Sequence, residues 1–525
     1  MTAHVDTFVR DNLPPRNQWP EIKFTLPNLQ FPAQYNASGM LDTAIANGHG
    51  ARDAVLMSSD KLTYDALLEE ACRIAYVLTH DFGLVPGNRV LIHASNTRLS
   101  LPVWWGVFRA GGVAVGTMPM LRAHELAVIL NKAHISHAIV DTHRAAELEQ
   151  ARPDAPVLKH MVTTDELERR MAGAPRKDLA VATAADDPAL IAFTSGTTGT
   201  PKGCVHFHRD IAAMAETFSR HILQPQPTDV FVGTPPFAFT FGLGAGMVFP
   251  ANVGAATAIC DKPGFDVLVD NVAKHKATTL FTSPTGYRAL MKQDMRKLAS
   301  LHTCVSAGEH LPRATSDQWF EQTGIRIIDG IGSTEMIHIF VSARDGDIRP
   351  GATGKAVPGY EATLLDDNDQ PFEGEGQGRL AIKGPTGCRY LADERQKAYV
   401  VNGWNVTGDI YRRDADGYFW YISRADDMIV SAGYNIGAPE VENALLTHEA
   451  VAECAVVGAP DEERGQIVKA FVVLNANTSA TERELQDHVK QAIAPYKYPR
   501  AIEFVTELPK TATGKLQRFK LRDPK

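Results

Sequence analysis

Helical and β-branched stretches take turns along the first part of the chain. LTYDALLEEACRIAYVLT (62–79) sets apolar residues at helical spacing and RVLIHA (89–94) follows as a strand; ELAVILNKAHI (125–135) and HAIVD (137–141) repeat the pair. Such alternation predicts parallel sheets covered by helices, because parallel neighbours need a long crossover rather than a tight turn. LPVWWGVFRAGGVAVGTMPML (101–121) is the longest apolar stretch, but Arg109, Gly111, Gly112 and Pro119 interrupt it. It reads as a packed helix, a glycine turn and a strand, not a membrane span. From Gly351 the texture changes to short strands with Gly and Asp turns, GATGKAVPGYEATLLDD, GEGQGRLAIKG and GYFWYISR, which predict a β-rich subdomain. After RADDMIV come helix APEVENALLTH, strands VAECAVVGAP and VKAFVVLN, and helix TERELQDHVKQAI. The expected fold is therefore α/β, with a large domain over 1–425 and a small α+β domain over 426–525.

With 525 residues there is room for two or more domains. A net charge of -8 argues against a nucleic-acid binder, which would show a basic face, so any polyanion must be attracted locally. Cys72, Cys204, Cys260, Cys304, Cys388 and Cys454 lie far apart without a C-x-x-C pair and read as reduced thiols. MTAHVDTFVRDNLPP carries charge and proline where a signal peptide needs an apolar run. The expected location is the cytoplasm.

TSGTTGTPKG (194–203) is the densest chemical feature. Its glycines allow close backbone approach, successive N–H groups form an anion nest, hydroxyls add donors and Lys202 adds charge. It is not the familiar G-x-x-x-x-G-K-[ST] loop, since Pro201 and Gly203 flank Lys202 and keep it from opening a helix. ALIAFT (189–194) reads as a buried strand before it and HRDIAAMAETFSRHIL (208–223) as a helix after it. Strand, loop and helix in that order favour a phosphate cradle over a surface turn. DGIGSTEM (329–336) offers a Thr hydroxyl for phosphate and a carboxylate for Mg²⁺, although S-T-E alone is also a helix-cap pattern. WNVTGDIYRRDADGYFWYISRADD (404–427) offers Asp409 for ribose hydroxyls and Arg424 as a donor fork, each of which alone could be a surface ion pair. ELPKTATGKLQR (507–518) carries Lys515 after a glycine, a lysine that alone would read as solubilising.

Taken as an ordered set, TSGTTGTPKG, GSTE, TGD, R-x-D-D and the late P-K-T-x-x-G-K resemble the signature series of adenylate-forming enzymes, over nearly the whole chain. SAGEHLP (306–312), DGIGSTEMIHIF (329–340) and RPGATGKAVPGY (349–360) resemble the benzoate-CoA ligase branch, and HVDTFVRDNLPPRNQWP (4–20) is similar to 2-aminobenzoate-CoA ligases. The resemblance implies αβ layers with a β-barrel-like subdomain, then a small mobile C-terminal domain that swings about a hinge at Asp426. It implies that Thr194, Ser195, Gly196, Thr197, Thr198, Gly199 and Lys202 hold the ATP phosphates. Ser306, Ala307, Gly308, Glu309, Asp329, Gly330 and Ile331 would border adenine and the acid pocket. Thr334 would touch the α-phosphate, Glu335 would hold Mg²⁺, and Asp409 with Arg424 would take the ribose. Lys515 would bridge carboxylate and phosphate as the catalytic cation. Phe237, Ala238, Phe239, Tyr287, Gly332 and His338 would line the acid pocket, with Phe239 as an aromatic gate. Ser431, Ala432 and Gly433 would line the coenzyme A tunnel after rotation. Two positions depart from the family pattern: Ser423 stands before Arg424 where Gly is common, and Val430 follows Ile429 where Lys is common.

The implied activity is an ATP- and Mg²⁺-dependent ligation of an aromatic acid to coenzyme A through an aryl-AMP, with 2-aminobenzoate as the expected acid and benzoate or a hydroxybenzoate as alternatives. His338 reads equally as a structural histidine or as a group beside the ring. An enzyme that loads a separate carrier protein and a non-catalytic nucleotide sensor are the competing classes; Lys515, Glu335 and Asp409 argue against the sensor. No nucleic acid or membrane insertion is expected, and a homodimer is compatible with the chain.

Overall fold

The structure is a computed structural model that describes residues 1–176, 180–194, 201–260, 262–431, 434–510 and 516–522; the side chains of Asp426 and Asn435 are also outside the description. One sheet runs in the order His160–Thr163, His137–Val140, Arg89–His93, Val113–Gly116, Pro188–Thr194, Lys202–Phe207. Its pairings are parallel except the last, which is antiparallel. Arg89–His93 is buried at every position, as expected of a strand covered on both faces. The helix Ser100–Arg109 is buried throughout, and Arg109 is tolerated there because it meets Asp42 at 2.8 Å. Gly111 then turns the chain at φ +72° into strand Val113–Gly116. Among the described residues no helix is long and apolar enough to cross a membrane.

A second sheet carries Thr303–Ser306, Ile327–Gly332, Thr279–Thr282 and Val230–Gly233 as parallel neighbours near its middle. The β-rich stretch expected after Gly351 forms a third, antiparallel sheet built on Glu361–Leu365, Gly376–Lys383, Trp404–Arg413 and Phe419–Arg424. Beyond Asp427, strands Val451–Asp461, Gly465–Leu474 and Ala501–Phe504 are covered by helices Ala438–Leu446 and Glu482–Ala492. Ile436, Val441, Leu445, Val456, Val468, Leu485 and Val489 close that unit's own apolar core. The molecule is thus a mixed α/β protein with a large N-terminal and a smaller C-terminal part.

The order strand, loop, helix needs one correction. Lys202–Phe207 is itself a strand, antiparallel to Pro188–Thr194, and the helix begins only at His208. The alternation in KGCVHF explains it: Lys202, Cys204 and His206 share one face and Gly203, Val205 and Phe207 the other. The Gly-rich motif therefore falls between two strands in the sequence, and Lys202 is fixed by a ladder rather than by a helix N-terminus.

The segment around Arg389 is docked onto this edge strand. Val205 N–H donates to the Arg389 carbonyl at 2.8 Å, and the Arg389 guanidinium pairs with Asp210 at 2.9 Å with both side chains fully buried. The guanidinium also lies 4.3 Å from the Phe207 ring centroid. Removing one partner of such a pair leaves a buried charge uncompensated. Arg389→Ala should accordingly lower unfolding free energy by about 3–5 kcal/mol, read as a fall in urea midpoint; an unchanged midpoint would show that the pair contributes nothing.

Candidate active site

The site is assembled where several parallel strands end together. Register places Thr282 beside Ser306 and Ser306 beside Asp329, while Phe281 lies beside Gly233. The segments leaving these strands are those that hold PPFAF, SPTGY, AGEH and STEM, so one row of carboxyl ends brings four distant stretches to one crevice. At these strand ends Ser306 Oγ and Asp329 Oδ1, and beyond them both ring nitrogens of His338, are sealed from solvent without a side-chain partner among the described residues, as is Thr194 Oγ1 at the end of its own strand in the first sheet. Buried polar groups are ordinarily satisfied, so this set marks surfaces meant for a ligand. Burial, opposed by the Gly330 N–H, pushes the Asp329 carboxyl up to about 8. At neutral pH it offers an O–H donor and a carbonyl acceptor, a pair suited to a purine edge.

The turn that follows Gly332 is tight and strained. A Cβ on Gly332 would come within 2.8 Å of the His338 backbone, and Ile337 adopts φ +66°, a left-handed conformation rare for a β-branched residue. The turn aims Thr334 and Glu335 at the edge strand. His206 Nε2 lies 2.7 Å from the Thr334 carbonyl, and Tyr390 Oη donates to Glu335 Oε1 at 2.5 Å. Lys202 Nζ donates to Tyr390 Oη at 2.8 Å and stands 3.8 Å from Glu335. Burial and the Glu335 carboxylate raise the phenol pKa far above its usual value, so Tyr390 stays a donor. Glu335 retains oxygen capacity for a hard cation, and a single carboxylate plus triphosphate oxygens is the usual surrounding of Mg²⁺. Further along the third sheet, cross-strand partners Asp409 and Arg424 are joined at 3.2 Å, and the guanidinium also donates to the Thr407 carbonyl at 3.1 Å.

His338 is enclosed by Phe249, Phe218 and Phe241, with ring centroids at 4.6, 5.3 and 5.7 Å. Burial, despite a backbone contact from Phe241, lowers its pKa to about 3 and keeps the imidazole neutral. Gly244 is required beside it, since a Cβ there would meet the ring at 2.6 Å. Phe237 packs on the helix carrying Gly246, and the Ala238 backbone and the Trp104 ring both abut Gly116. Tyr287 corrects the sequence reading. Its ring is fully buried against Trp319 at 4.8 Å and its hydroxyl donates to the Val305 carbonyl at 3.0 Å, so it belongs to the core behind the sheet. Glu309 is held by the Thr285 hydroxyl at 2.9 Å. Ser195, Gly196, Thr197, Thr198, Gly199, Ala432, Gly433 and Lys515 lie outside the described residues. The sequence reading passed over Tyr390 and His206. His206 was legible in the two-residue alternation with Lys202, whereas nothing local in GCRYLADE marks Tyr390.

The Asp329 carboxyl has a testable consequence for stability. Its folded pKa lies above the usual carboxylate value, so between about pH 4 and pH 8 the native state binds more protons than the unfolded chain and stability falls as pH rises. Asp329→Asn should flatten that fall in urea midpoints measured across the window; the same slope in variant and wild type would reject the assignment.

The comparisons with known proteins agree with this geometry. The model for AMP-binding enzymes matches residues 43–390 and that for the AMP-binding enzyme C-terminal domain matches 440–515. A benzoate-CoA ligase of Thauera aromatica is 35% identical over 95% of this chain and 98% of its own length. A 4-hydroxybenzoate-CoA/benzoate-CoA ligase of Rhodopseudomonas palustris is 33% identical over 93% and 94%. Among solved structures, the anthranilate CoA ligase AuaEII in complex with anthranoyl-AMP superposes with TM-score 0.89 at 34% identity, covering 94% of this chain and 98% of that one. A benzoate CoA ligase from Burkholderia xenovorans LB400 superposes with TM-score 0.85 at 33% identity, covering 93% and 100%. The matched segments include the turn bearing Thr334 and Glu335 and the strand bearing Lys202, and the chain belongs to the AMP-binding enzyme family as an AMP-forming acid–thiol ligase that uses ATP, Mg²⁺ and coenzyme A.

Proposed function

We propose that this ligase acts on an aromatic carboxylic acid and that its acid is 2-aminobenzoate. The observation that carries the proposal is His338: a neutral imidazole that, apart from the backbone contact from Phe241, has no hydrogen-bond partner among the described residues and is held inside an enclosure of Phe218, Phe241 and Phe249. Such a group accepts a hydrogen bond from an ortho amine while the phenylalanines bury the ring faces. The names of two relatives, an anthranilate and a benzoate CoA ligase, support the same substrate class.

The aromatic carboxylate is ionised near neutral pH, so the first step requires no base. It requires charge compensation, since two unit charges 4 Å apart repel by about 4 kcal/mol at an effective dielectric of 20. In our reading Lys202 faces the phosphates, Glu335 holds Mg²⁺, Thr334 meets the α-phosphate and Lys515 bridges phosphate and carboxylate. Mg²⁺, when bound, neutralises phosphate charge; the protein's part is to hold Glu335 and Lys202 at fixed separation. Asp409 and Arg424 take the ribose, and Ser306 to Glu309 with Asp329 take adenine. The second step brings a thiol that is already strongly nucleophilic and needs an open path to the mixed anhydride. We place the domain boundary at 425/426, with Asp426 as the hinge that withdraws Lys515 and brings Ser431, Ala432 and Gly433 to the thiol path. The wide spacing of the six cysteines, with no C-x-x-C pair, supports a reducing compartment such as the cytoplasm.

A panel of acids scored by coenzyme A thioester formation tests the substrate. Acetate should be poor, because leaving about 100 Å² of apolar contact unfilled forfeits about 2.5 kcal/mol, roughly seventyfold. His338→Ala should narrow the preference for 2-aminobenzoate over benzoate by roughly fivefold, the worth of one hydrogen bond, with less effect on benzoate itself. A wild-type preference for an aliphatic acid would sink the aromatic reading, and an unchanged ortho preference in the variant would leave His338 structural.

Lys515→Ala should abolish aryl-AMP formation, measured by pyrophosphate exchange, while thioester formation from supplied aryl-AMP persists. Equal loss of both half-reactions would remove Lys515 from its proposed place.

A further inference from the structure

We propose that Tyr390 is a positioning residue of the adenylation step, whose hydroxyl spaces Lys202 from Glu335 so that one remains available to the triphosphate and the other to its magnesium ion. The hydroxyl donates to Glu335 Oε1 at 2.5 Å and accepts from Lys202 Nζ at 2.8 Å. The direct distance from Lys202 Nζ to the Glu335 carboxylate is 3.8 Å, beyond hydrogen-bond range, so the phenol is the physical link between the two charges. Without it, the flexible lysine would collapse onto the carboxylate. A closed ion pair of that kind would have to be opened by every incoming nucleotide.

The surroundings fix the phenol and leave it little freedom to swing. Its ring is fully buried and meets Tyr399 edge to face at 5.8 Å. Tyr399 Oη in turn lies 3.3 Å from Ser333 Oγ, two residues before Glu335. Tyr390 N–H donates to Gln396 Oε1 at 2.9 Å, and the residue bridges Cys204 on the edge strand. Arg389, the preceding residue, is anchored by Asp210. Three segments distant in sequence therefore converge on one hydroxyl: the Lys202 strand, the Thr334 and Glu335 turn, and the 387–391 segment. Groups that orient a metal carboxylate in this way commonly change metal affinity tenfold to a hundredfold when removed.

The inference rests on the ATP-dependent chemistry of the family and not on which acid is used, because the Tyr390 hydroxyl bonds Lys202 and Glu335 and not the aromatic enclosure around His338. Tyr390→Phe keeps the ring and removes the hydroxyl. Calorimetric titration of the full-length variant with ATP in excess Mg²⁺ should show affinity reduced about tenfold to a hundredfold. The Mg²⁺ concentration giving half-maximal pyrophosphate exchange should rise in parallel. Thioester formation from supplied aryl-AMP should stay within about twofold of wild type, since that step meets no triphosphate. Tyr399→Phe, whose lost hydroxyl meets Ser333 and bonds neither Lys202 nor Glu335, should shift the magnesium titration less than Tyr390→Phe. If Tyr390→Phe melts early, the rise in melting temperature produced by ATP and Mg²⁺ still separates the cases, and it should be smaller than in wild type. Unchanged affinity and an unchanged rise on ligand addition, or equal loss in both half-reactions, would overturn the proposal.

Discussion

An acid activated through its adenylate must bring a carboxylate against a triphosphate, and like charges set the terms for everything around them. The chain as a whole is no help, with a net charge of -8. Compensation has to be local, and the fold concentrates it where the edge of one sheet meets the carboxyl ends of another. Lys202 sits on the edge strand, Glu335 on the turn beyond Ile327–Gly332, and Tyr390 on the segment docked between them. Each is held by backbone ladders or buried packing, so the charges are placed before a ligand arrives and little reorganisation is needed at the reaction.

Positions of single atoms in this arrangement depend on backbone that ordinary residues would not allow. Gly332 lies against the His338 backbone, Gly244 against its ring, and Ile337 holds a left-handed conformation between Glu335 and His338. The turn therefore couples the phosphate side of the crevice to the aromatic side. Glu335 and His338, three residues apart, face different partners: Tyr390 in one direction, Phe218, Phe241 and Phe249 in the other.

Aromatic residues of one kind end in different roles for reasons of topology. Phe241 and Phe249 surround His338, whereas Tyr287, from an equally suggestive stretch, turns behind the sheet to Trp319. Ser283 caps its helix and fixes which face of Pro284–Leu290 meets the core. A one-residue rotation of that short helix would have been indistinguishable in the sequence.

The roles expected at Lys202, Thr334, Glu335, Asp409 and Arg424 came from the family resemblance of the ordered motifs, whereas local chemistry in the sequence was enough for the alternating layers, the β-rich stretch after Gly351 and the α+β unit beyond Asp426. Those features rest on periodicity, backbone freedom and charge, which act between near neighbours and so are written in short stretches. The strand at Lys202–Phe207, the burial of Tyr287, the aromatic enclosure of His338 and the hydroxyl of Tyr390 between two charges were decided by tertiary structure. Lys202 and Tyr390 are separated by 188 residues, and contacts such as the Cys204–Tyr390 bridge and the buried Arg389–Asp210 pair bring them within a hydrogen bond. Contacts at that separation depend on which faces are left to pack once the sheets have formed, a property of the assembled fold and not of any single segment.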